Sequence, residues 1–248
     1  MITKIIIIAA GLGSRLMPLT KECPKTLVNI KNKSILAHQT QIYINLGLNN
    51  INLIVGYKKE KFKNLNYNYF INKDYRNNNV LASLFCAKKA LKDTCLISYS
   101  DIIFKKNVVQ KLLQSKSAIS IVVDTNWKKN YTGRTQHPIS QAENVIFNKK
   151  NNLIKIGKHL DKTESNGEFI GMLKLTDVGT KIFKKYYKKS LKHFRKKQFF
   201  NAKSFKKAYI TDFLSFLIKN NINIKCVKIK NNWREIDTKQ DLKNANTF

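Results

Sequence analysis

Acidic residues are scarce in this chain of 248 residues, which has 15 Asp and Glu against 47 Lys and Arg and a formal net charge of +32. A field of that sign attracts polyanions such as nucleic acids and anionic membranes. The lysines are spread over the whole chain together with many asparagines and isoleucines, a bias typical of an AT-rich genome. We therefore attribute most of the charge to composition and expect no specific nucleic-acid partner.

Glycine, proline and cysteine are also few, with nine, three and four residues. The cysteines show no CxxC spacing, which argues against a disulfide framework and against a zinc site. No stretch approaches the roughly 18–20 apolar residues that span a bilayer. The apolar run after Lys4 resembles a signal peptide, but cleavage there would destroy the glycine motif that follows it. We expect a cytoplasmic protein with reduced thiols and no transmembrane segment.

The most informative pattern lies in the first 25 residues, where four isoleucines lead into two glycines. An apolar run that stops at glycine predicts a buried strand followed by a tight turn. Because glycine has no Cβ, backbone N–H groups there can come close to a ligand. Arg15 and Lys25 add two positive charges to the same loop, so the pattern indicates a cradle for a triphosphate. Its backbone part is expected to consist of Ala10, Gly11, Gly13 and Ser14.

The spacing excludes two common phosphate-binding loops. A P-loop has four residues between its glycines, whereas a single residue separates Gly11 from Gly13. A dinucleotide-binding fingerprint needs a third glycine where this chain has Leu16. The combination GxGxR, PxT and a later Pro24-Lys25 is much more specific than GxG alone. It closely resembles the signature of nucleotidyltransferases of the sugar-phosphate and phosphocholine type, which join a nucleoside triphosphate to a phosphorylated small molecule and release pyrophosphate.

Apolar periodicity predicts alternating strands and helices, which favours a parallel sheet with helices on both faces. Strands are predicted at 4–10, 51–55, 95–99, 118–123, 144–148, 153–157, 168–175 and 224–229. Helices are predicted at 34–47, 80–91, 107–115, 176–188, 205–219 and from about 238. The resemblance implies an α/β fold with a Rossmann-like, mixed but mostly parallel sheet flanked by helices, the nucleotide-diphospho-sugar transferase fold, with a small acceptor-binding insertion. We expect a single domain over 1–248, in which 1–125 binds the nucleotide and 126–248 binds the acceptor and closes the metal site.

Nucleotidyl transfer is an in-line attack on the α-phosphorus, so catalysis consists mainly of positioning and charge neutralisation. Arg15 suits the β- and γ-phosphates because a guanidinium holds two oxygens at once, and Lys25 suits the α-phosphate and the incoming acceptor. A triphosphate also requires Mg²⁺, which prefers carboxylate oxygens. The resemblance implies that Asp101, after a central strand, and Asp237, in a late W-x-x-I-D-T segment, hold this metal. Asp237 is alternatively a helix cap, and Glu235 is then the fallback ligand.

The nucleoside is indicated by an Asn-rich segment at 75–84. No Q-x-P-x-G segment of the kind that recognises uracil or thymine is present. The segment is similar to the Asn-rich stretch ending in Ser-Leu of the cytidylyltransferases for phosphocholine, which implies CTP. Asn79 and Ser83 are the candidates for the base or ribose, and the alternative roles are a helix cap and a helix-surface hydroxyl.

The acceptor is indicated by a polar, glycine-punctuated series within 124–171. It resembles cytidylyltransferases of phosphonate pathways and a related capsule-modification enzyme that uses phosphorylated glutamine. Arg134, His137 and Lys158 are candidates to hold a doubly charged phosphonate, although Arg134 and His137 alternatively tie down a loop. Glu168 is a further acceptor-site candidate, with a third metal ligand or a structural partner of a lysine as its alternatives.

A phosphocholine acceptor would need an aromatic and carboxylate box, for which Trp127, Tyr131 and Glu168 are candidates. The most basic segment, 181–207, indicates either a contact with phosphates or a membrane surface, or a solvated helix face with aromatics on the core. The sequence thus favours a Mg²⁺-dependent cytidylyltransferase acting on a small phosphonate or phosphate monoester. The alternatives are a sugar-1-phosphate nucleotidyltransferase, a phosphocholine cytidylyltransferase, and a nucleic-acid- or membrane-binding protein on a degenerate scaffold. The oligomeric state stays open, with a homodimer as one option.

Overall fold

The computed structural model of the protein describes residues 3–158, 160–195 and 197–248. Within these ranges the chain forms thirteen strands and six α-helices. The strands are β1 Lys4–Ala9, β2 Asn29–Ile30, β3 Lys33–Ser34, β4 Asn50–Val55, β5 Asn68–Ile71, β6 Cys95–Tyr99, β7 Ile102–Phe104, β8 Ile119–Asp124, β9 Asn144–Phe147, β10 Leu153–Gly157, β11 Gly167–Leu175, β12 Lys225–Ile229 and β13 Trp233–Glu235. The helices are α1 Ile35–Ile44, α2 Val80–Cys86, α3 Lys106–Gln114, α4 Asp177–Phe194, α5 Ile210–Lys219 and α6 Lys239–Ala245.

One large sheet organises the molecule, with the strand order β10-β9-β11-β6-β1-β4-β5 and with β8 and β12 attached beside β11. Strands β6, β1, β4 and β5 are parallel to one another, and β12 is parallel to β8. Strand β11 runs antiparallel to β6, β8 and β9. This mixed, mostly parallel sheet flanked by helices confirms the predicted fold class.

Strand β1 is apolar from Ile5 to its end at Ala9 because both faces of the sheet are covered. Its even-numbered residues Ile6 and Ile8 belong to one core, together with residues of α2, α4 and α5. Its odd-numbered residues Ile5 and Ile7 belong to a second core, together with residues of α1 and α3. Burial on both sides explains the unbroken run of isoleucines from which the strand was predicted.

All the strands and helices predicted from the sequence have a counterpart in the structure, with shifted ends. The helix predicted from position 205 begins at Ile210, because Phe205–Lys207 forms a short 3-10 turn instead. Strands β2, β3, β5, β7 and β13 were not predicted. Strands β2 and β3 are two residues long, β7 and β13 are three residues long, and β5 is only partly covered. None of the helices in the described ranges is long and apolar enough to cross a bilayer.

Strands β7 and β13 form a separate antiparallel ribbon that sets the position of the site. Glu235 pairs with Ile102 in this ribbon, and the backbone N–H of Ile236 donates to the carbonyl of Asp101 at 2.8 Å. Because Asp101 follows β6, and β6 pairs in parallel with β1, the ribbon brings the late segment to the carboxyl edge of both strands.

Candidate functional site

A cleft of about 420 Å³ opens at the carboxyl ends of β1 and β6. It is lined by every site residue predicted from the sequence except Arg134, His137 and the two aromatic candidates for a choline box, Trp127 and Tyr131. The predicted residues that line it are Ala10, Gly11, Gly13, Ser14, Arg15, Lys25, Asn79, Ser83, Asp101, Lys158, Glu168 and Asp237. Glu143 and Glu235 line the same cleft.

The loop after β1 turns sharply at Gly13, whose φ of 64° lies in the left-handed region. A Cβ on Gly13 would lie 2.7 Å from the Cβ of Lys25 and 3.2 Å from a methyl carbon of Thr20. The Thr20 hydroxyl donates to the Gly13 carbonyl at 2.9 Å and holds the turn closed. Gly13 is therefore required for the close approach of Lys25 to the glycine loop, whereas a Cβ on Gly11 would meet no atom within 4 Å.

Lys25 connects the two carboxylates that were predicted to hold a metal. Its ammonium lies 2.8 Å from Oδ2 of Asp101 and forms a second ion pair with Oδ1 of Asp237. Burial alone would lower the pKa of Lys25, but the charges of Asp101 and Asp237 outweigh it and raise the pKa. Lys25 is therefore a fixed cation in the floor of the cleft.

Asp237 is buried and surrounded by positive charge. Arg15 approaches its Oδ2 at 2.7 Å, and His137 Nδ1 lies 3.1 Å from the same oxygen. Burial opposes ionisation, but Lys25, His137 and Arg15 together hold the pKa of Asp237 well below its usual range. Burial and the charge of Asp237 instead raise the pKa of Glu235 to about 7.

The residues present fit a hard divalent cation such as Mg²⁺. Among the described residues, the buried Oδ1 of Asp101 has no hydrogen-bond partner, and the Lys25 ammonium that contacts Asp101 is also ion-paired with Asp237. Carboxylate oxygens are the ligands that Mg²⁺ prefers, so this open oxygen together with Asp237 is a suitable donor set.

Arg134 and His137 lie behind the cleft wall rather than in it. Arg134 is buried, and its guanidinium contacts Asp241 at 2.5 Å and Glu235 at 3.2 Å. His137 lies between Asp237 and Glu235, 3.6 Å from the latter. This placement differs from the predicted contact with the acceptor, and it agrees with the alternative in which both residues tie down a loop. The physical reason is that Asp241 and Glu235 hold the Arg134 guanidinium, while the His137 ring lies between the carboxylates of Asp237 and Glu235.

Asp241 was missed by the sequence prediction. It closes a capping box at the start of α6, in which Thr238 accepts from the N–H of Asp241 and the Asp241 carboxylate accepts from the N–H of Thr238. The spacing Thr-x-x-Asp before a predicted helix is a signal that could have identified it.

Glu168 is 3% exposed, and its Oε1 accepts a hydrogen bond from the Tyr131 hydroxyl. Its Oε2 is buried without a hydrogen-bond partner among the described residues. Burial, together with the charge of Glu235, raises the pKa of Glu168 well above its usual range. Trp127 and Tyr131 pack against each other outside the cleft, so they do not form an aromatic box around it.

Lys158 and Glu143 also line the cleft. Lys158 lies over the ring of Tyr209 at 5.3 Å, and its charge acts on the half-buried Glu143. Burial and the charges of Glu235 and Asp101 nevertheless raise the pKa of Glu143 to about 8. Glu143 was not predicted as a site residue, because a lone glutamate in a polar series has no distinctive spacing.

Asn79 and Ser83 line the cleft and also have structural partners. Asn79 caps α2 by accepting from the N–H of Val80 at 2.8 Å, and its amide donates to the Lys207 carbonyl at 3.0 Å. The Ser83 hydroxyl accepts from the Asn72 amide at 2.8 Å. Both the predicted nucleoside contacts and the alternative cap role are compatible with these positions.

A glycine loop with an arginine and a lysine, facing two carboxylates at the carboxyl edge of a mostly parallel sheet, defines a nucleotidyltransferase. Residues 5–156 match the family model described as the MobA-like NTP transferase domain, and the chain belongs to this family. The match covers the glycine loop, Lys25, Asp101 and the strands that carry them.

Individual relatives support this assignment. The chain is 35% identical over 249 residues to the CTP:phosphoglutamine cytidylyltransferase of Campylobacter jejuni, a match that covers 96% of each protein. It is 36% identical over 116 residues to the choline-phosphate cytidylyltransferase of Streptococcus pneumoniae, covering 45% of this chain and 51% of that protein. The solved structure of the phosphocholine cytidylyltransferase from Streptococcus pneumoniae superimposes with a TM-score of 0.73 at 21% identity, covering 100% of this chain and 99% of that one.

Proposed function

We propose that the protein is a Mg²⁺-dependent cytidylyltransferase that transfers CMP from CTP to a small phosphonate or phosphate monoester and releases pyrophosphate. The observation that carries the proposal is the position of Lys25, which is ion-paired with both Asp101 and Asp237 beside the glycine loop. A buried ammonium at the junction of two carboxylates and a backbone cradle suits a reaction between two anions. We also propose a cytoplasmic location for this reaction.

In the proposed reaction an oxygen of the acceptor phosphate or phosphonate attacks the α-phosphorus of CTP. A new P–O bond forms, the bond from the α-phosphorus to the bridging oxygen breaks, and pyrophosphate leaves with the electron pair. Lys25 neutralises the charge on the α-phosphate and on the incoming oxygen, and Arg15 holds the β- and γ-phosphates. The N–H groups of Gly11 to Ser14 supply neutral donors to the triphosphate.

Asp101 and Asp237 would hold Mg²⁺, with the free Oδ1 of Asp101 as the first ligand. When bound, the metal neutralises the charge on the triphosphate and helps pyrophosphate to leave. Before the metal binds, Lys25 and Arg15 partly neutralise the same two aspartates, which keeps the carboxylates in place.

CTP is favoured because the relatives named as cytidylyltransferases include one that is 35% identical over 96% of this chain. The acceptor is favoured to be phosphorylated and small. The relatives are named for phosphoglutamine, choline phosphate and 2-aminoethylphosphonate, and the last matches 36% of this chain. Trp127 and Tyr131 do not line the cleft, whereas Tyr75, Tyr99 and Tyr209 do, so phosphocholine stays an alternative acceptor.

The test is a matrix of triphosphates and acceptors assayed by pyrophosphate release. The triphosphates are CTP, UTP, dTTP and GTP, and the acceptors are phosphoglutamine, 2-aminoethylphosphonate, phosphocholine and glucose 1-phosphate. We expect turnover with CTP and one of the first two acceptors, and no turnover after chelation of Mg²⁺. A preference for UTP, dTTP or GTP with glucose 1-phosphate would instead support the sugar-1-phosphate alternative.

A second measurement separates catalysis from simple polyanion binding. Affinity for duplex DNA at physiological salt should stay in the non-specific range of roughly 10⁻⁴–10⁻⁶ M if the charge reflects composition. Sub-micromolar DNA binding together with no pyrophosphate release would favour the alternative of a binding protein on a degenerate scaffold.

A further inference from the structure

The segment 127–141, here named the support segment, contacts the cleft carboxylates from outside the cleft. Of its residues, all of which the structure describes, only Gln141 lines the cleft. Trp127 is 2% exposed and anchors the segment by packing with Tyr131 and Ala142. The segment is thus a buried layer behind one wall of the site rather than part of that wall.

Three carboxylates of the cleft each receive a contact from this layer. The contacts are Tyr131 to Glu168, Arg134 to Glu235 and His137 to Asp237. In a chain with only 15 acidic residues, this concentration of carboxylates at one wall needs compensating partners to be stable. The support segment supplies those partners from the side that substrates do not reach.

Asp241 connects Arg134 of the support segment to the backbone of Asp237 and Thr238. Its Oδ1 accepts from Nε of Arg134 at 2.5 Å. Its Oδ2 accepts from the backbone N–H groups of Asp237 and Thr238 at 3.0 and 2.8 Å. Arg134 therefore acts on Asp237 through Asp241, while its other end holds Glu235 at 3.2 Å.

We propose that Arg134 and Asp241 are positioning residues for nucleotidyl transfer, which fix Asp237 and Glu235 in the orientation that metal and nucleotide require. This inference rests on the proposed role of Asp237 as a metal ligand. Stability alone does not call for such a pair, since a well-packed apolar pair often replaces a buried ion pair without loss. The contacts of the pair are directional instead. Arg134 donates from one nitrogen to Asp241 and from another to Glu235, and the second oxygen of Asp241 accepts from the backbone of Asp237 and Thr238.

His137 belongs to the same layer. His137, Glu235 and Asp237 offer ligand atoms within 4.8 Å of one another, a spacing that would also suit a cation. Arg134 already contacts Glu235, and Arg15 already contacts Asp237, so positive charge is present at both carboxylates. We therefore assign His137 a supporting contact and no separate metal site.

The test uses the full chain with the variants Arg134→Met, Arg134→Lys and Asp241→Asn. Binding of Mn²⁺ is measured without substrates by electron paramagnetic resonance, and kcat and KM for CTP are measured separately. We expect Arg134→Met to weaken Mn²⁺ binding about tenfold and to lower kcat about 10- to 100-fold, because a displacement of about 1 Å at a catalytic group has effects of that size. KM for CTP should change less than about threefold, and Arg134→Lys should restore part of both losses.

Lys174→Met is the matched control. Lys174 is also buried, at 6% exposure, and its ammonium donates to the carbonyls of Leu113 and Ser115, away from the cleft. This variant should lose thermal stability without a change in kcat or in Mn²⁺ affinity. It thereby separates a general loss of stability from a loss of positioning.

Tighter Mn²⁺ binding by Arg134→Met would overturn the proposal, because removal of a nearby positive charge attracts a cation if no displacement occurs. Lower thermal stability with unchanged kcat and Mn²⁺ affinity would also overturn it and leave a purely structural role. If Arg134→Met does not fold, Mn²⁺ affinity and kcat are measured for Arg134→Lys and Asp241→Asn instead, and unchanged values in both variants would overturn the proposal. Weaker Mn²⁺ binding in these variants, combined with no transferase activity in the parent protein, would refute the proposed function and overturn the role in nucleotidyl transfer, and Arg134 and Asp241 would then position a cation site alone.

Discussion

The ammonium of Lys25 lies 2.8 Å from a carboxylate oxygen of Asp101, at the point where the ends of β1 and β6 meet. The two residues are 76 positions apart in the chain, and the parallel pairing of these strands brings them together. The same ammonium is ion-paired with Asp237, so one cation joins the beginning, middle and end of the chain. Its removal affects both the charge balance of the cleft and the position of the two aspartates.

Lys25→Met is therefore expected to lower kcat about 10³-fold, because a fixed charge on the reacting phosphate is lost. The steady-state assay is pyrophosphate release at saturating CTP, and circular dichroism checks the fold. Lys181→Met is the control, since Lys181 forms an exposed ion pair with Asp177 at 2.6 Å on α4. Retention of more than about a tenth of the parental kcat by Lys25→Met would contradict the assigned role.

Arg15→Lys and Arg15→Met should separate binding from chemistry. Arg15 contacts Asp237 at 2.7 Å with a half-exposed side chain, so part of its guanidinium remains open to a triphosphate. We expect Arg15→Met to raise KM for CTP about tenfold or more, and Arg15→Lys to recover only part of this, since an ammonium does not hold two oxygens at once. Isothermal titration with a non-hydrolysable CTP analogue measures the affinity directly. Unchanged affinity in both variants would place the triphosphate elsewhere.

Several parts of this architecture were predictable from local pattern. The run from Ile5 to Ile8 predicts β1 because a strand buried on both faces is apolar at every position. The glycine loop and Lys25 were predicted from the pattern after β1, whereas the metal-binding role of Asp101 and Asp237 was predicted from the resemblance to nucleotidyltransferases. Strand β5 was not predicted, since Asn68–Ile71 is half exposed at the edge of the sheet and lacks an apolar run.

The support segment was not predictable by the same means. Arg134 and His137 are basic residues in a polar, glycine-containing stretch, and such a stretch suits an anion site as well as a buried ion-pair layer. The distinction depends on Asp241, which is 107 positions away from Arg134 and comes close only after α6 docks. Long-range packing of this kind leaves no periodicity in the local sequence, so only the three-dimensional structure reveals it.

Alanine at the glycines of the loop should have position-dependent effects. In Gly13→Ala the new Cβ would lie 2.7 Å from the Cβ of Lys25, which is too close for two carbon atoms. We therefore expect the Lys25 side chain to be displaced and kcat/KM to fall about a hundredfold. The left-handed φ of 64° adds about 1–2 kcal/mol of destabilisation. Gly47→Ala is the matched control, because Gly47 has a φ of 74°, open space around it and no place in the cleft lining.

Both glycine variants should lose a similar amount of thermal stability from backbone strain, and only Gly13→Ala should lose activity. Gly11→Ala should keep its stability, since no atom lies within 4 Å of the new Cβ, and lose affinity for CTP where the triphosphate approaches the backbone. Equal activity in Gly13→Ala and Gly47→Ala would refute the link between this turn and Lys25.

The pH dependence of stability should reveal the raised pKa of Glu143. Burial is the largest cause, and it shifts the pKa from an ordinary value of 4.5 to about 8 in the folded protein. Between these pH values the unfolded chain releases this proton while the folded chain keeps it, so the folded state loses stability as the pH rises. Glutamine removes the proton exchange, so Glu143→Gln should become progressively more stable than the parent between pH 5 and pH 8. Above pH 8 the difference should stay constant.

Thermal unfolding followed by circular dichroism at one-unit intervals from pH 5 to pH 9 measures this difference. Glu60→Gln, at an exposed position outside the cleft, serves as the control and should follow the parent protein at every pH. A gain in Tm for Glu143→Gln that is the same at pH 5 and pH 8 would mean that packing, and not the buried charge, distinguishes the two side chains. A gain that grows over this interval would show that the Glu143 carboxyl group stays protonated in the folded protein at pH values where it is ionised in the unfolded chain.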